Sequence, residues 1–330
     1  MVSMKDIANK CGVSVATVSK ALNGQRDIGT ETRELVVKAA TELGYMTNAA
    51  ARALKTSKTY NLGILFVDEQ SSGLTHDFFA EVMNSFKVEA EKLGYDVTFI
   101  SRNIGKKPTS YLQHSLYRGV DGVVIACIDF YDPQVAELVE SGIPVVTIDH
   151  TFEGHAAIMS NNVEGIETLV KYAVSKGHKK IAYIHGESCA VTSVRIKGFY
   201  RACEALGINV PEEYLVLGEY NNPERFSGQI QQLMSIENPP TCVLGPDDFS
   251  TIGGYMVPGL LDRVSLLGYD GVRLSGIIRP MLTTYRQDTE AMGRLAADKL
   301  VELIEHPRTA LAERIIVPGY FVEGDTVHEV

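Results

Sequence analysis

The first 45 residues place apolar side chains at the spacing of short helices. A first helix would bury three small or apolar side chains on one side: Ile7, Ala8 and Cys11. Gly12 permits a tight turn that a side chain would obstruct, and Ser14 is typical of a residue that caps the following helix. That second helix, from Val15 to Leu22, would bury a stripe of its own: Val18, Ala21 and Leu22. The pattern predicts a helix-turn-helix.

The other face of the second helix points away from this small core. Its side chains are Val15, Ala16, Thr17, Ser19 and Lys20. In a helix-turn-helix, such a face enters the major groove of DNA. Asn23 and Gly24 would end the helix, because both tolerate the left-handed backbone conformation. A third helix is predicted between Thr30 and Gly44, with a buried side made of Leu35, Val36, Ala39, Ala40 and Leu43.

Beyond residue 60 the pattern changes to apolar, strand-like runs separated by amphipathic helices. The first set of strands is predicted at 62–67, 97–101, 123–127 and 145–148, with helices near 77–93, 109–117 and 133–140. A second set of strands follows at 181–184, 214–217, 241–244 and 264–267. Continuous apolar strands separated by helices predict parallel sheets covered on both faces. Two similar sets indicate an α/β fold with two lobes and a cleft between them.

The N-terminal residues resemble the helix-turn-helix of the lactose-repressor family of bacterial transcription regulators, from Asp6 to Gly24. The likeness continues over nearly the whole chain in short segments: Thr32-Arg33, Leu43-Gly44-Tyr45, Gly119 to Gly122, Gly142 to Pro144, Gly177-His178, Arg195, Gly198-Phe199 and Gly268 to Asp270. The resemblance implies a helix-turn-helix domain over 1–46, a hinge helix and linker over 47–60, and an effector-binding and dimerisation domain over 61–330. The last would have two lobes like those of periplasmic binding proteins, crossed three times by the chain, with a small-molecule effector between them.

The resemblance also extends the set of expected DNA contacts beyond the second helix. Added to its outward face are Ser14, Asn23, Thr32, Tyr45, Asn48, Ala51 and Leu54. A helix from Asn48 to Lys55 is too short to be stable alone in water, so we expect it to form on DNA beside its dimer mate. The resemblance implies that Leu54 of each subunit then wedges into the minor groove and kinks the duplex.

Candidate effector ligands lie where strands end, because doubly wound sheets bind ligands beyond the carboxyl ends of their strands. Asp149 and Asp270 follow predicted strands, and Arg195 is predicted to start the helix after 181–184. All three match family positions that commonly contact the effector, although an Asp in such a place can also serve only as a helix cap. The resemblance adds Asp248 and two aromatic walls, Phe79 and Tyr220. Carboxylates, an arginine and ring faces suit a sugar or sugar derivative.

Several departures from the family bear on the effector. Purine-binding members carry an Arg and a Thr where this chain has Cys189 and Val191, so we do not expect a purine. The usual Asn-Asp of the second lobe is Asp247-Asp248, and the usual Asp-Asn before a helix is Ser160-Asn161. The segment 253–268 is shorter than usual, which would remove about two turns of helix beside the cleft.

Charge is divided unevenly along the chain. The formal net charge is -10, yet residues 1–60 hold nine Lys and Arg against five Asp and Glu, while the remainder hold 22 against 36. The positive field is therefore confined to the predicted DNA-binding segment. The five cysteines form no C-x-x-C pair, and we interpret them as reduced, buried thiols rather than as a redox sensor.

The sequence favours some classes of protein over others. No apolar run is long enough for a membrane span and no signal segment precedes the helices, so we expect a cytoplasmic protein without a membrane partner. No cofactor, metal or catalytic motif is legible, which disfavours an enzyme. A sugar-binding clamp without a regulatory role would have no use for residues 1–55. The sequence favours an effector-controlled homodimer that binds pseudo-palindromic operator DNA, usually as a repressor, here of a carbohydrate-utilisation operon.

Overall fold

The computed structural model describes residues 2–22, 24–25, 27–45, 58–67 and 73–330. The chain divides into two compact units, Met1–Thr59 and Tyr60–Val330. We refer to them as the head and the sensor. The hinge helix predicted at 48–55, with Asn48, Ala51 and Leu54, lies outside the described residues, as does Asn23.

The described residues of the head form three helices: α1 (Met4–Cys11), α2 (Val15–Leu22) and α3 (Thr30–Leu43). Gly12 has a φ of 66°, as the tight turn requires, and the Ser14 hydroxyl accepts the Thr17 amide at 3.0 Å, which confirms the predicted cap. The helices enclose one small core: Ile7, Ala8, Val18, Ala21, Val36, Ala39 and Ala40. The prediction that Leu35 is buried is wrong, because half of its surface is exposed (50%), whereas Val36, Ala39 and Ala40 of the same prediction are buried.

The sensor contains two six-stranded sheets, which confirms the predicted two-lobe α/β fold. The first sheet is entirely parallel, in the order β13-β7-β6-β5-β1-β2. Its strands are β1 (Asn61–Phe66), β2 (Asp96–Phe99), β5 (Gly122–Ala126), β6 (Val145–Ile148), β7 (Ala156–Ser160) and β13 (Arg314–Val317). The helices of this first lobe are α4 (Asp77–Lys92), α5 (Tyr111–Arg118), α6 (Pro133–Val139) and α12 (Thr289–Glu305). A small hairpin joins β3 (Asn103–Ile104) to β4 (Lys107–Pro108).

The second sheet has the order β14-β12-β11-β10-β8-β9, with β14 antiparallel to β12 at one edge. Its strands are β8 (Ile181–His185), β9 (Leu215–Leu217), β10 (Cys242–Leu244), β11 (Ser265–Asp270), β12 (Thr283–Arg286) and β14 (Tyr320–Val322). The helices of this second lobe are α7 (Asn162–Ser175), α8 (Ala190–Ala205), α9 (Pro223–Leu233), α10 (Asp248–Thr251) and α11 (Arg273–Ile277). Short 3₁₀ turns complete the sensor at Gly73–Thr75, Glu212–Tyr214 and Ile252–Met256.

Strand membership shows where the chain passes from one lobe to the other. The passages lie between β7 and α7, between β12 and α12, and between β13 and β14. The described part of the chain therefore crosses between the lobes three times, as the family resemblance implied.

Each sheet is buried on both faces, which is why its central strands are continuous apolar runs. In β5 all five residues are buried, and in β6 all four. The outer face of the first lobe is closed by α4 and α12, which approach closely at Gly293: a Cβ there would stand 2.2 Å from the Val82 carbonyl oxygen. Among the described residues, no helix is both long and apolar enough to cross a membrane, and no group of His, Cys, Asp and Glu could hold a metal ion.

Candidate functional site

A cleft of about 460 Å³ lies in the sensor where strands of both sheets reach their carboxyl ends. The first lobe contributes Phe79, Asp129, Phe130, Tyr131, Asp149 and His150 to its lining, among others. The second contributes Glu187, Cys189, Arg195, Tyr220, Asp247, Asp270 and Gln287, among others. The strand-end rule therefore locates this cleft, and five of the six predicted effector contacts line it.

Arg195 is the fixed cation at the base of the cleft. Only 3% of its surface is exposed; Nε donates to Asn162 Oδ1 at 2.7 Å and Nη1 donates to the Pro246 carbonyl at 3.1 Å. Its Cζ lies 3.8 Å from the centre of the Tyr269 ring. Helix α8 begins at Ala190 and not, as predicted, at Arg195, so the arginine projects from the second turn. A guanidinium held from three directions is pre-organised to bind a ligand oxygen.

Asp270 faces that guanidinium, with Oδ1 3.7 Å from Arg195 Nη2. It ends β11 with a φ of 101°, and its Oδ1 accepts from Gln287 Nε2 at 2.7 Å. Burial raises the pKa of Asp270 to about 7, against the opposing effect of Arg195. Gln287 Oε1 is buried and has no hydrogen-bond partner among the described residues. Because a buried acceptor without a partner is costly, this atom marks a place for a ligand hydroxyl.

Asp149 follows β6, as predicted, and has a φ of 54°. Its Oδ1 accepts from the Ser160 amide at 2.6 Å and its Oδ2 accepts from the Ser160 hydroxyl at 2.9 Å. Burial raises its pKa, although these bonds favour the carboxylate. Asp149 thus ties the end of β6 to the end of β7 while its carboxylate remains part of the cleft wall.

Asp248 was predicted to bind the effector, but the structure places it outside the cleft. It is completely buried, where Oδ1 accepts from Thr284 Oγ1 at 2.5 Å and Oδ2 accepts from the Val272 amide at 2.9 Å. Its neighbour Asp247 lines the cleft and caps α10 by accepting the Ser250 amide at 2.6 Å. Asp247 therefore lies at the cleft and the adjacent Asp248 lies inside the lobe, so Asp248 does not line the cleft as predicted.

Phe79 and Tyr220, the predicted aromatic walls, both line the cleft. Tyr220 is fixed by a 2.7 Å hydrogen bond between its hydroxyl and Thr192 Oγ1. Its ring covers Gly186, where an added Cβ would stand 2.1 Å from Tyr220 Cε2, so only glycine fits beneath it. Phe79 packs edge-on against Phe78, with ring centres 4.9 Å apart.

Two further aromatic residues that line the cleft, Phe130 and Tyr131, were not predicted from the sequence. Phe130 and His150 lie parallel, with ring centres 4.1 Å apart and planes within 5°. Tyr131 stands edge-on to His150 at 6.2 Å and is 84% exposed. Phe130 and Tyr131 lie on the loop after β5, and His150 lies on the loop after β6. Both loops start where ligands of such sheets are expected, beyond the carboxyl ends of the strands.

The head presents the outward face predicted for α2. Val15 and Ala16 are exposed, while Thr17 and Ser19 are half-buried. Lys20 is half-buried and forms an ion pair with Asp27 at 2.5 Å, and pairs of this kind at a surface contribute little stability. Ser14 is occupied by the cap described above. Of the additional candidates, Thr32 is half-buried and Tyr45 packs against the core of the head.

Comparison with known proteins places these two units in one family. A model of "Bacterial regulatory proteins, lacI family" matches residues 3–48, and a model of "Periplasmic binding proteins and sugar binding domain of LacI family" matches residues 61–324. The chain belongs to the LacI family. It is a DNA-binding transcriptional regulator with an effector-binding domain.

Relatives and solved structures agree with the LacI assignment. The chain is 32% identical to the HTH-type transcriptional repressor PurR of Escherichia coli O1:K1 / APEC over 323 residues, which cover 93% of this chain and 92% of that protein. The Lac repressor dimer bound to operator and the anti-inducer ONPF has the same fold, with a TM-score of 0.83, 23% identity and 99% of both chains covered. The transcriptional regulator CelR in complex with cellobiose gives a TM-score of 0.70 at 22% identity, covering 99% of this chain and all of that one.

Cysteines of this LacI-family chain differ in burial. Cys203 and Cys242 are buried, and burial raises the pKa of the Cys203 thiol to about 11. Cys11 and Cys127 are half-buried. Cys189 is exposed, so the prediction of buried thiols is wrong there: its Sγ caps α8 by accepting the Thr192 amide at 3.4 Å. This capping bond holds Cys189 among the residues that line the cleft.

Proposed function

We propose that this chain is a homodimeric cytoplasmic repressor of a carbohydrate-utilisation operon. Its two heads bind the halves of a pseudo-palindromic operator, and a neutral sugar bound in the sensor cleft changes the affinity for that operator. The cleft supports this proposal through one observation: a single fixed guanidinium is surrounded by carboxylates and ring faces.

Charge in the cleft favours a neutral ligand. Among the described lining residues, Arg195 is the only Arg or Lys, whereas the acidic ones are Asp129, Asp149, Glu187, Asp247 and Asp270. A polyol donates its hydroxyl hydrogens to carboxylates and accepts from the guanidinium, so every group finds a partner. A sugar phosphate would place further negative charge beside these carboxylates, and like charges in a buried site are unfavourable.

A purine effector is the second candidate, because the PurR relative is 32% identical over most of the chain. The local chemistry favours a sugar instead. Cys189 and Val191 stand where the purine-binding members of the family carry an Arg and a Thr, and the Cys189 sulfur is already used to cap α8. An unpartnered glutamine oxygen and several carboxylates at the base offer acceptors for hydroxyl donors.

The DNA side of the proposal rests on the head. Val15 and Ala16 present apolar groups suited to thymine methyls, Thr17 presents a hydroxyl, and Lys20 can exchange Asp27 for a guanine or a phosphate. Leu54 is proposed to wedge into the minor groove between the two half-sites. Two copies are needed because one small basic head binds DNA weakly, typically with a Kd of about 0.1 mM to 1 µM without specificity.

The experiment has two stages. Full-length protein first selects duplexes from a random DNA library, and the enriched duplex then serves as the operator in binding titrations with neutral sugars, sugar phosphates and purines. We expect a two-fold symmetric sequence whose affinity changes at least tenfold with a neutral sugar. A response to purines alone would show that the effector is a purine and not a sugar. The absence of any enriched sequence would contradict operator recognition.

A further inference from the structure

The cleft has a charged base and an aromatic mouth. Arg195 and Asp270 at the base are almost completely buried, whereas Tyr131 at the other end is 84% exposed. We define the aromatic mouth as Phe130, Tyr131 and His150, all of which line the cleft from the first lobe. The buried charged groups that suit the hydroxyls of a first sugar ring therefore lie at the base, and exposed aromatic rings lie at the mouth.

Two of the three rings of the aromatic mouth pack against neighbouring rings. Phe130 and His150 are stacked with ring centres 4.1 Å apart, and Phe152 packs edge-on behind His150 at 4.7 Å. The loop that carries Tyr131 is fixed by its amide, which donates to Asp129 Oδ1 at 2.9 Å. Rings that are ordered before binding lose little conformational freedom when a ligand stacks on them. An exposed tyrosine held in this way is suited to ligand contact rather than to the core.

We infer that the effector carries two sugar rings, the first bound by Arg195, Asp270 and Gln287 and the second stacked at the aromatic mouth. This inference rests on the proposed sugar effector and specifies how many rings that sugar has. The cleft volume of about 460 Å³ supports it, because pockets of about 300–1,000 Å³ enclose drug-sized ligands, which are larger than one hexose.

The chemistry of the mouth suits a sugar ring better than an alkyl or acyl chain. A pyranose has a face of C–H groups that packs on an aromatic ring, and hydroxyls around its edge. Asp129 and Glu187 line the same cleft and supply acceptors for those hydroxyls. An apolar chain would leave these two carboxylates facing hydrocarbon, which is costly.

The test is calorimetry on the full-length protein with matched pairs of probes. Glucose is compared with cellobiose and maltose, galactose with lactose, and adenosine and hypoxanthine are included. Tyr131→Ala removes the exposed ring without disturbing the core. Tyr117→Ala is the control, because Tyr117 is also well exposed (63%), lies on α5 beside Arg118 and is not among the cleft-lining residues.

We expect at least one disaccharide to bind tenfold or more tightly than its monosaccharide, and Tyr131→Ala to weaken only the disaccharide, by at least fivefold. Tyr117→Ala should change neither. Equal binding of both sugars, or an equal loss of both in Tyr131→Ala, would overturn the two-ring inference and leave the sugar effector in place. Binding of adenosine or hypoxanthine with no sugar bound would overturn both. Thermal unfolding of each variant verifies that it is folded.

Discussion

Asp270→Asn is the substitution with the clearest expected consequence for effector control. In the native cleft, Asp270 Oδ1 accepts from Gln287 Nε2 at 2.7 Å and faces Arg195 Nη2 at 3.7 Å. Asparagine keeps the shape and can still accept from Gln287, but it loses the charge. It can also turn an amide donor toward the guanidinium, which is itself a donor.

The size of the effect follows from the bond that is changed. A hydrogen bond to a charged group contributes about 1.5–3 kcal/mol, and about 1.4 kcal/mol corresponds to a tenfold change in affinity. At pH 8, where a carboxyl group with a pKa of about 7 is mostly ionised, Asp270→Asn should therefore weaken effector binding about 10- to 150-fold. Operator affinity without effector should stay within about threefold of the wild type, because the substituted side chain has no role in the head.

Fluorescence anisotropy of a labelled operator duplex measures both quantities. The operator affinity is determined first without effector and then during an effector titration. Asp298→Asn is the matched control, since Asp298 is a half-exposed carboxylate on α12 that pairs with Arg294 at 3.4 Å, away from the cleft. If Asp270→Asn responds to the effector at wild-type concentrations, Asp270 does not belong to the site.

Three other properties can be predicted. Exchanging Val15 and Ala16 together for the residues of a differently specific head should alter base preference at one or two positions of each half-site, by about 1–3 kcal/mol each, and an unchanged preferred sequence in a library selection would remove them from base contact. Asp270 has a pKa of about 7 in the folded protein and 3.8 as an unperturbed group, so the folded protein binds the extra proton between these values and the free energy of unfolding falls as pH rises from about 4 to about 7. Chemical denaturation across this range should show a smaller fall in Asp270→Asn; identical pH slopes would contradict the raised pKa. Gly293→Ala should destabilise the sensor by about 1–3 kcal/mol, because the new methyl meets the Val82 carbonyl oxygen, whereas Gly228→Ala, with open space around it on α9, should be neutral or slightly stabilising; equal denaturation midpoints would contradict this account of α4–α12 packing.

Much of the fold was accessible from the sequence because buried parallel strands leave a strong signal. β6 begins and ends where the apolar run does, and β1, β5 and β8 deviate from their predicted bounds by a single residue at one or both ends. β12 was missed for a physical reason: its buried side chains include Thr283 and Thr284, hydroxyls that find partners inside the lobe. Hydrophobic patterning cannot detect a strand whose polar atoms are satisfied only by tertiary contacts.

The sequence predicted those residues of the site that directly follow the end of a strand. Asp149 and Asp270 are placed by the ends of β6 and β11, and that rule required no contact information. The choice between Asp247 and Asp248 required more, because a capping bond to Ser250 decides which of two adjacent carboxylates faces the cleft. The aromatic mouth lies on two loops that follow β5 and β6, but the ends of strands locate only the loops and do not show which of their side chains line the cleft.

Binding of the effector in the cleft is proposed to change the affinity of the same protein for operator DNA. The most direct test is whether operator DNA changes the affinity for the effector by an equal factor. Calorimetry measures effector affinity for the full-length protein with and without saturating operator duplex, and anisotropy measures operator affinity with and without saturating effector. Linkage requires both pairs of measurements to change by the same factor. We predict a common factor of at least ten, and in Asp270→Asn a higher effector concentration should be needed to reach it. An effector that binds in the cleft and leaves operator affinity unchanged would contradict the account.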